Sequence, residues 1–132
     1  MPITVRGLAP LLQVFDMPTS ITFYVDLLGF EIIHQSKPGP DFGWALLELD
    51  GTQLMLNTAY DPEDQPPSPD PSRWAGHPDT CIYFGCPDVD GAYQHLVSQG
   101  FEVDAPKVAW YGMKQLYLKD PDDFGICFQW SA

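Results

Sequence analysis

The 132-residue chain is 45% hydrophobic and 14% aromatic, enough for one packed domain or for two small modules sharing a core. Eighteen acidic against six basic side chains give a net charge of −12, which argues against nucleic acid and anionic membranes as partners. No apolar run reaches the ~18 residues of a membrane helix, and MPITVRGLAP has neither the basic segment nor the apolar stretch of a signal peptide, so a soluble, cytoplasmic protein is expected.

Residues 5–14 read as the first strand. Asp16 is placed to cap a helix that tolerates Pro18 in its first turn. Ile21, Tyr24, Val25 and Leu28 share one face of that helix at helical spacing, and Gly29 stops it. Residues 30–35 form the second strand and KPGPD a turn. Residues 42–50 and 52–57 are strands joined at Asp50-Gly51, a strong hairpin signal. Residues 61–78 hold six prolines and are expected to form neither a helix nor a central strand. They read as a spacer between module one (1–60) and module two (79–132), all within a single domain 1–132. The other role open to them is a lid carrying Tyr60 and Trp74. Module two begins with a strand at 80–86. A helix follows at 88–99, with Ala92, His95 and Leu96 among its inner positions, and Gly100 stops it. A short strand at 101–104, an irregular segment at 105–111, a strand at 112–119, the turn KDPDD and a strand at 124–130 complete it.

The plan is stated twice. Residues 11–32 and 82–103 both read strand, helix, then Gly-Phe-Glu entering another strand, and a hairpin follows each. A repeat of whole supersecondary units constrains the fold more than any single residue, and two half-sheets so related leave a cleft between them.

Alternate strand residues point to opposite faces. Leu47, Leu49, Leu54, Leu56, Ile82, Phe84, Leu116, Leu118, Ile126, Phe128 and Trp130 are apolar and fit a face covered by helices. The other parity is mixed. It holds Ala9, Leu11 and Gln13; Trp44, Leu46 and Glu48; Gln53, Met55 and Asn57; Cys81, Tyr83 and Gly85; Met113, Gln115 and Tyr117; Gly125, Cys127 and Gln129. An apolar face and a mixed aromatic–amide face imply a core on one side and a concave ligand surface on the other. A dimer interface is the competing use of that second face. The three cysteines, Cys81, Cys86 and Cys127, are odd in number and lack metal-knuckle spacing, so reduced thiols are expected.

This plan, with FYVDLLGFEI and LKDPDDFGICFQ in their places, resembles the vicinal oxygen chelate superfamily. That group contains glyoxalase I, extradiol dioxygenases, and fosfomycin- and bleomycin-resistance proteins. The resemblance covers nearly the whole chain. It implies an α+β fold of two βαβββ modules, whose curved mixed sheet forms a cup with the helices on its outer face. In the metal enzymes of the superfamily, His, Gln or Glu project into the cup from the first and last strands of each module. Here those positions carry Ala9, Met55, Cys81 and Cys127. Alanine has no donor atom, and a thioether with two thiols does not suit metals that prefer imidazole and carboxylate. His34, His77 and His95 stand elsewhere.

No metal, no cofactor and no catalytic residue are therefore expected. The chain is most similar in character to the acidic, metal-free, dimeric bleomycin-resistance branch, also through APLLQVFD, FGWALLELDGTQLMLNTAYD and WYGMKQLYLKDP. The implied function is to sequester a small, partly aromatic ligand, with room for a cationic one. Trp44, Tyr83, Trp110 and Tyr117 would stack on rings or cationic groups, and Glu48 would face positive charge. Gln53, Asn57, Gln115 and Gln129 would orient polar atoms, while Met55, Cys81, Met113 and Cys127 complete the lining. The alternative is a metal-dependent lyase, transferase or dioxygenase with non-standard ligands such as Cys81 and Cys127. Two other readings stand behind it: a metal-free enzyme using Glu48 or a thiolate as base, and a scaffold whose concave face binds a protein. A homodimer is the expected assembly.

Overall fold

The computed structural model describes residues 2–132; Met1, counted in module one, lies outside them. The fold is α+β, and the chain divides into two compact units at the Gln65–Pro66 junction. Each unit holds a four-stranded mixed sheet built on the same strand–helix–three-strand plan. Among the described residues, no helix is long and apolar enough to cross a membrane.

In unit one, β1 (Leu11–Val14) runs parallel to β4 (Thr52–Thr58). The latter pairs antiparallel with β3 (Trp44–Leu49), and β3 with β2 (Glu31–Gln35), giving the order β1-β4-β3-β2. The first strand is shorter than 5–14, because the preceding Pro10 contributes only its carbonyl, to the Met55 N–H at 2.8 Å. The β3–β4 turn is as expected: Asp50 and Gly51 have φ of 50° and 81°, the left-handed pair of a two-residue hairpin. Leu12, Val14, Ala45, Leu47, Leu54 and Leu56 form the buried face.

Helix α1 (Met17–Ile21) starts at Asp16, whose carboxylate accepts from the Thr19 N–H at 3.1 Å. It then widens into a π-helical stretch, Thr22–Leu27, and the Leu28 N–H reaches back five residues to the Phe23 carbonyl at 3.0 Å. The cause lies in the repeat. The path from the cap Asp16 to Gly29 (φ 97°) is one residue longer than that from Asp88 to Gly100 (φ 78°). A single wide turn absorbs the extra residue. It also moves the inner face: Met17, Ser20, Phe23 and Tyr24 are buried, whereas Ile21, Val25 and Leu28, expected inside with Tyr24, are only half-buried.

In unit two the strand order is β5 (Cys81–Gly85), β8 (Gly125–Ser131), β7 (Met113–Lys119), β6 (Lys107–Val108), with β5 and β8 parallel. Helix α3 (Val89–Ser98) lies between β5 and β6 in the chain and packs against β7 and β8. Val89 and Leu96 are buried at i and i+7, and Ala92 and Tyr93 lie half-buried between them. His95, expected inward, is exposed, since it sits a further 100° round the helix from Leu96. Gly100 closes the helix as a Schellman motif. Its N–H bonds Val97 O at 3.0 Å, and that of Phe101 bonds Leu96 O at 3.0 Å.

The strand expected at 101–104 does not form. Instead β6 lies inside the segment read as irregular and pairs only with Lys114 and Gln115. Ala105-Pro106 accounts for this: proline offers no N–H to a ladder and restricts the residue before it. A groove of about 890 Å³ opens where the missing pairing would be, lined by Phe101, Val103, Asp104, Tyr117, Leu118 and Lys119 among others. Trp130, assigned to the covered face, is 47% exposed near the end of β8.

The Pro-rich stretch also departs from expectation. Pro62–Asp64 and His77–Asp79 are 3₁₀ turns, and α2 (Pro71–Trp74) is one α-turn. Each carries its proline in the first two positions, where the missing N–H costs nothing. The C-terminal half of the stretch is packed. Trp74 is buried and donates through Nε1 to Asp122 Oδ1 at 3.2 Å. His77 stacks on Phe124 at 3.9 Å and donates through Nδ1 to the Asp122 carbonyl at 2.7 Å.

Candidate ligand-binding site

Residues opposite one another in a register share a face of the sheet. In unit one, three rungs cross the face away from the core: Gln13–Asn57–Trp44, Leu11–Met55–Leu46–His34, and Gln53–Glu48–Glu31. Polar atoms are joined along these rungs. Asn57 Nδ2 donates to Gln13 Oε1 and Gln53 Nε2 to Glu48 Oε1, each at 3.2 Å. Met55 occupies the centre, half-buried between Leu11 and Leu46. Ala9 lies before β1 and on no strand.

Two members of this face escaped the sequence reading. A bulge between Ile32 and His34 brings His34 opposite Leu46, and Glu31 pairs with Glu48. Strict alternation from Phe30 puts His34 with the core residues. A bulge resets that parity, and no residue type announces it.

In unit two the corresponding rungs are Gly85–Gln129–Gln115–Lys107, Tyr83–Cys127–Tyr117 and Cys81–Gly125–Lys119, with Met113 opposite Ser131. Here the residues form a bonded cluster. The Tyr83 and Tyr117 hydroxyls are 2.8 Å apart, their rings edge to face at 6.0 Å. Gln115 Nε2 donates to Gln129 Oε1 at 2.9 Å and to the Tyr111 hydroxyl at 2.7 Å. Tyr111, not singled out from sequence, thus joins the site through its hydroxyl. Gln115 is buried, and a cavity of about 240 Å³ opens beside it, lined by Asp104, Ala105, Lys107, Ala109, Gln115 and Tyr117. Trp110, expected to stack inside, stands in the β6–β7 turn, 96% exposed and edge-on to Tyr111.

The environment of each thiol disfavours its thiolate. Cys127 has no exposed surface, and burial pushes its thiol up to about 11, partly offset by the Tyr117 hydroxyl. Burial raises Cys81 and Cys86 as well. The hydroxyl pairing with Tyr83, then burial, hold the Tyr117 phenol above its ordinary range, so it is a neutral donor. A metal site needs deprotonated ligands. Alanine, a thioether and two thiols that burial keeps protonated do not fit one. Among the described residues, the one grouping of three potential metal-binding side chains is the exposed set Asp61, Glu63 and Asp64. Nor does Cys81 or Cys127 have the thiolate character a base or nucleophile needs. What the arrangement can do is stack, hydrogen-bond and desolvate.

Comparison with known proteins agrees with this architecture. Residues 7–128 match the family model of the Glyoxalase/Bleomycin resistance protein/Dioxygenase superfamily. No curated protein matches the chain. Among solved structures, an antibiotic-binding protein from Streptomyces sp. CB03234 is 25% identical, with a TM-score of 0.72 over 100% of this chain and 99% of its own. A glyoxalase/bleomycin resistance protein from the same organism is 25% identical, with a TM-score of 0.66 over 95% of this chain and 100% of its own. A bleomycin resistance determinant encoded on transposon Tn5 is 21% identical and shares the fold, with a TM-score of 0.70 over 96% of this chain and 98% of its own.

Proposed function

The chain belongs to the Glyoxalase/Bleomycin resistance protein/Dioxygenase superfamily, and from that premise we propose that it is a binding protein and not a metal enzyme. It sequesters a small, partly aromatic molecule, including cationic ones, on the open faces of its sheets. The observation that carries this reading is the pairing of two properties. The positions where metal enzymes of this fold place their ligands hold Ala9, Met55, Cys81 and Cys127. Around the last two, Tyr83, Tyr117, Gln115 and Gln129 form a bonded aromatic–amide cluster. Two half-exposed tyrosines supply stacking area, and the amides supply orientation. On the first sheet, Trp44 and Met55 supply apolar contact, and Glu48 with Glu31 supplies negative charge. The two solved structures at 25% identity support the reading, one of them an antibiotic-binding protein. The protein acts stoichiometrically, as an acidic cytoplasmic homodimer without cofactor.

Isothermal titration against a panel of aromatic cations tests the proposal, with 2-naphthylmethylammonium as the simplest member. Saturable binding with unit stoichiometry per chain and no product by mass spectrometry is expected. No heat across the panel, or chemical turnover of any member, would sink it.

A further inference from the structure

The protein carries eighteen carboxylates against six basic side chains, yet the open face of the second sheet inverts that balance. Its rungs contain Lys107 and Lys119 and no carboxylate on any strand. The equivalent face of the first sheet carries Glu31 and Glu48 and no lysine or arginine. Neither Lys107 nor Lys119 has an ion-pair partner among the described residues, and the salt bridge of Lys114 with Asp90 lies on the other side of β7. Glu102 and Asp104, from the strandless segment, line the same groove as Lys119, and Asp104 the same cavity as Lys107.

Between the lysines stands the tyrosine pair. Two hydroxyls 2.8 Å apart hold two protons, and one of these makes the bond between them. The other has only a thiol as its protein alternative, since Tyr83 borders Cys81 and Tyr117 borders Cys127. Sulfur is a weak acceptor. Both rings are about half exposed, so a ligand oxygen reaches that proton without displacing a strong bond.

We infer that this face is an oxyanion subsite, where the Tyr83–Tyr117 hydroxyl pair and Lys119 hold a carboxylate or phenolate oxygen of the ligand. The inference rests on the proposed binding role and deepens it: the ligand is not simply cationic but bears an acidic oxygen as well. The hydroxyl pairing with Tyr83, then burial, holds the Tyr117 phenol above its ordinary range, so it stays a donor at neutral pH. Hydrogen bonds to a charged acceptor are the strong kind.

The test is titration of the full chain with 2-naphthoate, and in parallel with 2-naphthylmethylammonium. The variants are Tyr83→Phe/Tyr117→Phe, which keeps both rings, and Lys119→Met; unfolding curves check that each folds. Naphthoate is expected to bind the parent protein. Its affinity should fall about tenfold or more in the double variant, the effect of losing charge-assisted bonds, and by a smaller factor in Lys119→Met, while the ammonium probe changes little. Should Tyr83→Phe/Tyr117→Phe not fold, Lys119→Met alone decides, and unchanged naphthoate affinity overturns the subsite. Ammonium binding without naphthoate binding, or naphthoate affinity unmoved in the folded double variant, overturns it and leaves the binding role standing. Binding of neither probe overturns both.

Discussion

Cys127 shows how one residue's surroundings set its chemistry. With no exposed surface, its thiol is held near 11, above the ordinary 9.0. Between those two pH values the unfolded chain loses the proton while the folded one keeps it. The stability from the buried neutral thiol is therefore complete below pH 9 and is lost as pH rises toward 11. Chemical denaturation at pH 7, 9 and 10.5 should show a falling midpoint over the upper interval, and Cys127→Ala should flatten that fall. A flat parent profile would remove the claim. Beside it, Gly125 makes room for its neighbour: a Cβ there would lie 3.1 Å from both Cβ and Sγ of Cys81. Gly125→Ala is expected to destabilise the fold by about 1 kcal/mol, the cost of mild overpacking less the gain from a stiffer unfolded chain. The shared face of Cys81, Tyr83 and Cys127 was legible from parity alone. The Tyr111 hydroxyl was not, because a turn residue joins a sheet face through tertiary bonding that carries no period.

At the scale of elements, reliable reading followed local chemistry. Asp50-Gly51, the Asp16 cap and the Gly29 and Gly100 stops are dictated within a few residues, and they stand where expected. Three features needed information from further away. The π-helical turn answers a one-residue length mismatch visible only against the other repeat. The bulge at β2 answers pairing with β3. The absent strand at 101–104 follows from Pro106, whose effect on the ladder depends on which edge it meets. The Pro-rich stretch is the fourth case: prolines that forbid a long helix are compatible with single turns. Its hold on the β7–β8 turn runs through Trp74 and His77. Trp74→Phe removes the Nε1–H bond to Asp122 and part of the indole packing, and should cost about 1–3 kcal/mol by thermal or denaturant unfolding. A loss below measurement would show that the hydrogen bond contributes nothing to docking the stretch.

For the molecule as a whole, the repeat made the fold legible. The alternation of apolar and mixed positions then picked out the open face of each sheet. Chemistry was less legible, since a binding role is read from which donors are missing as much as from which are present. The metal question has a direct measurement. After incubation with zinc, nickel, iron and manganese and then gel filtration, elemental mass spectrometry should find well under one equivalent retained. One tightly held equivalent would reverse the binding reading in favour of lyase or dioxygenase chemistry. The duplication has one more consequence. Each central position on one open face has a counterpart on the other: Met55 answers to Cys127, Leu46 to Tyr117, Glu48 to Lys119. Behind both stand buried leucines, Leu47, Leu54 and Leu56 in the first unit and Leu116 and Leu118 in the second. A lineage carrying such a doubled scaffold can recode one half for a new chemical group while the other keeps its old one. Selectivity is then free to drift in single steps that never pass through an unfolded intermediate.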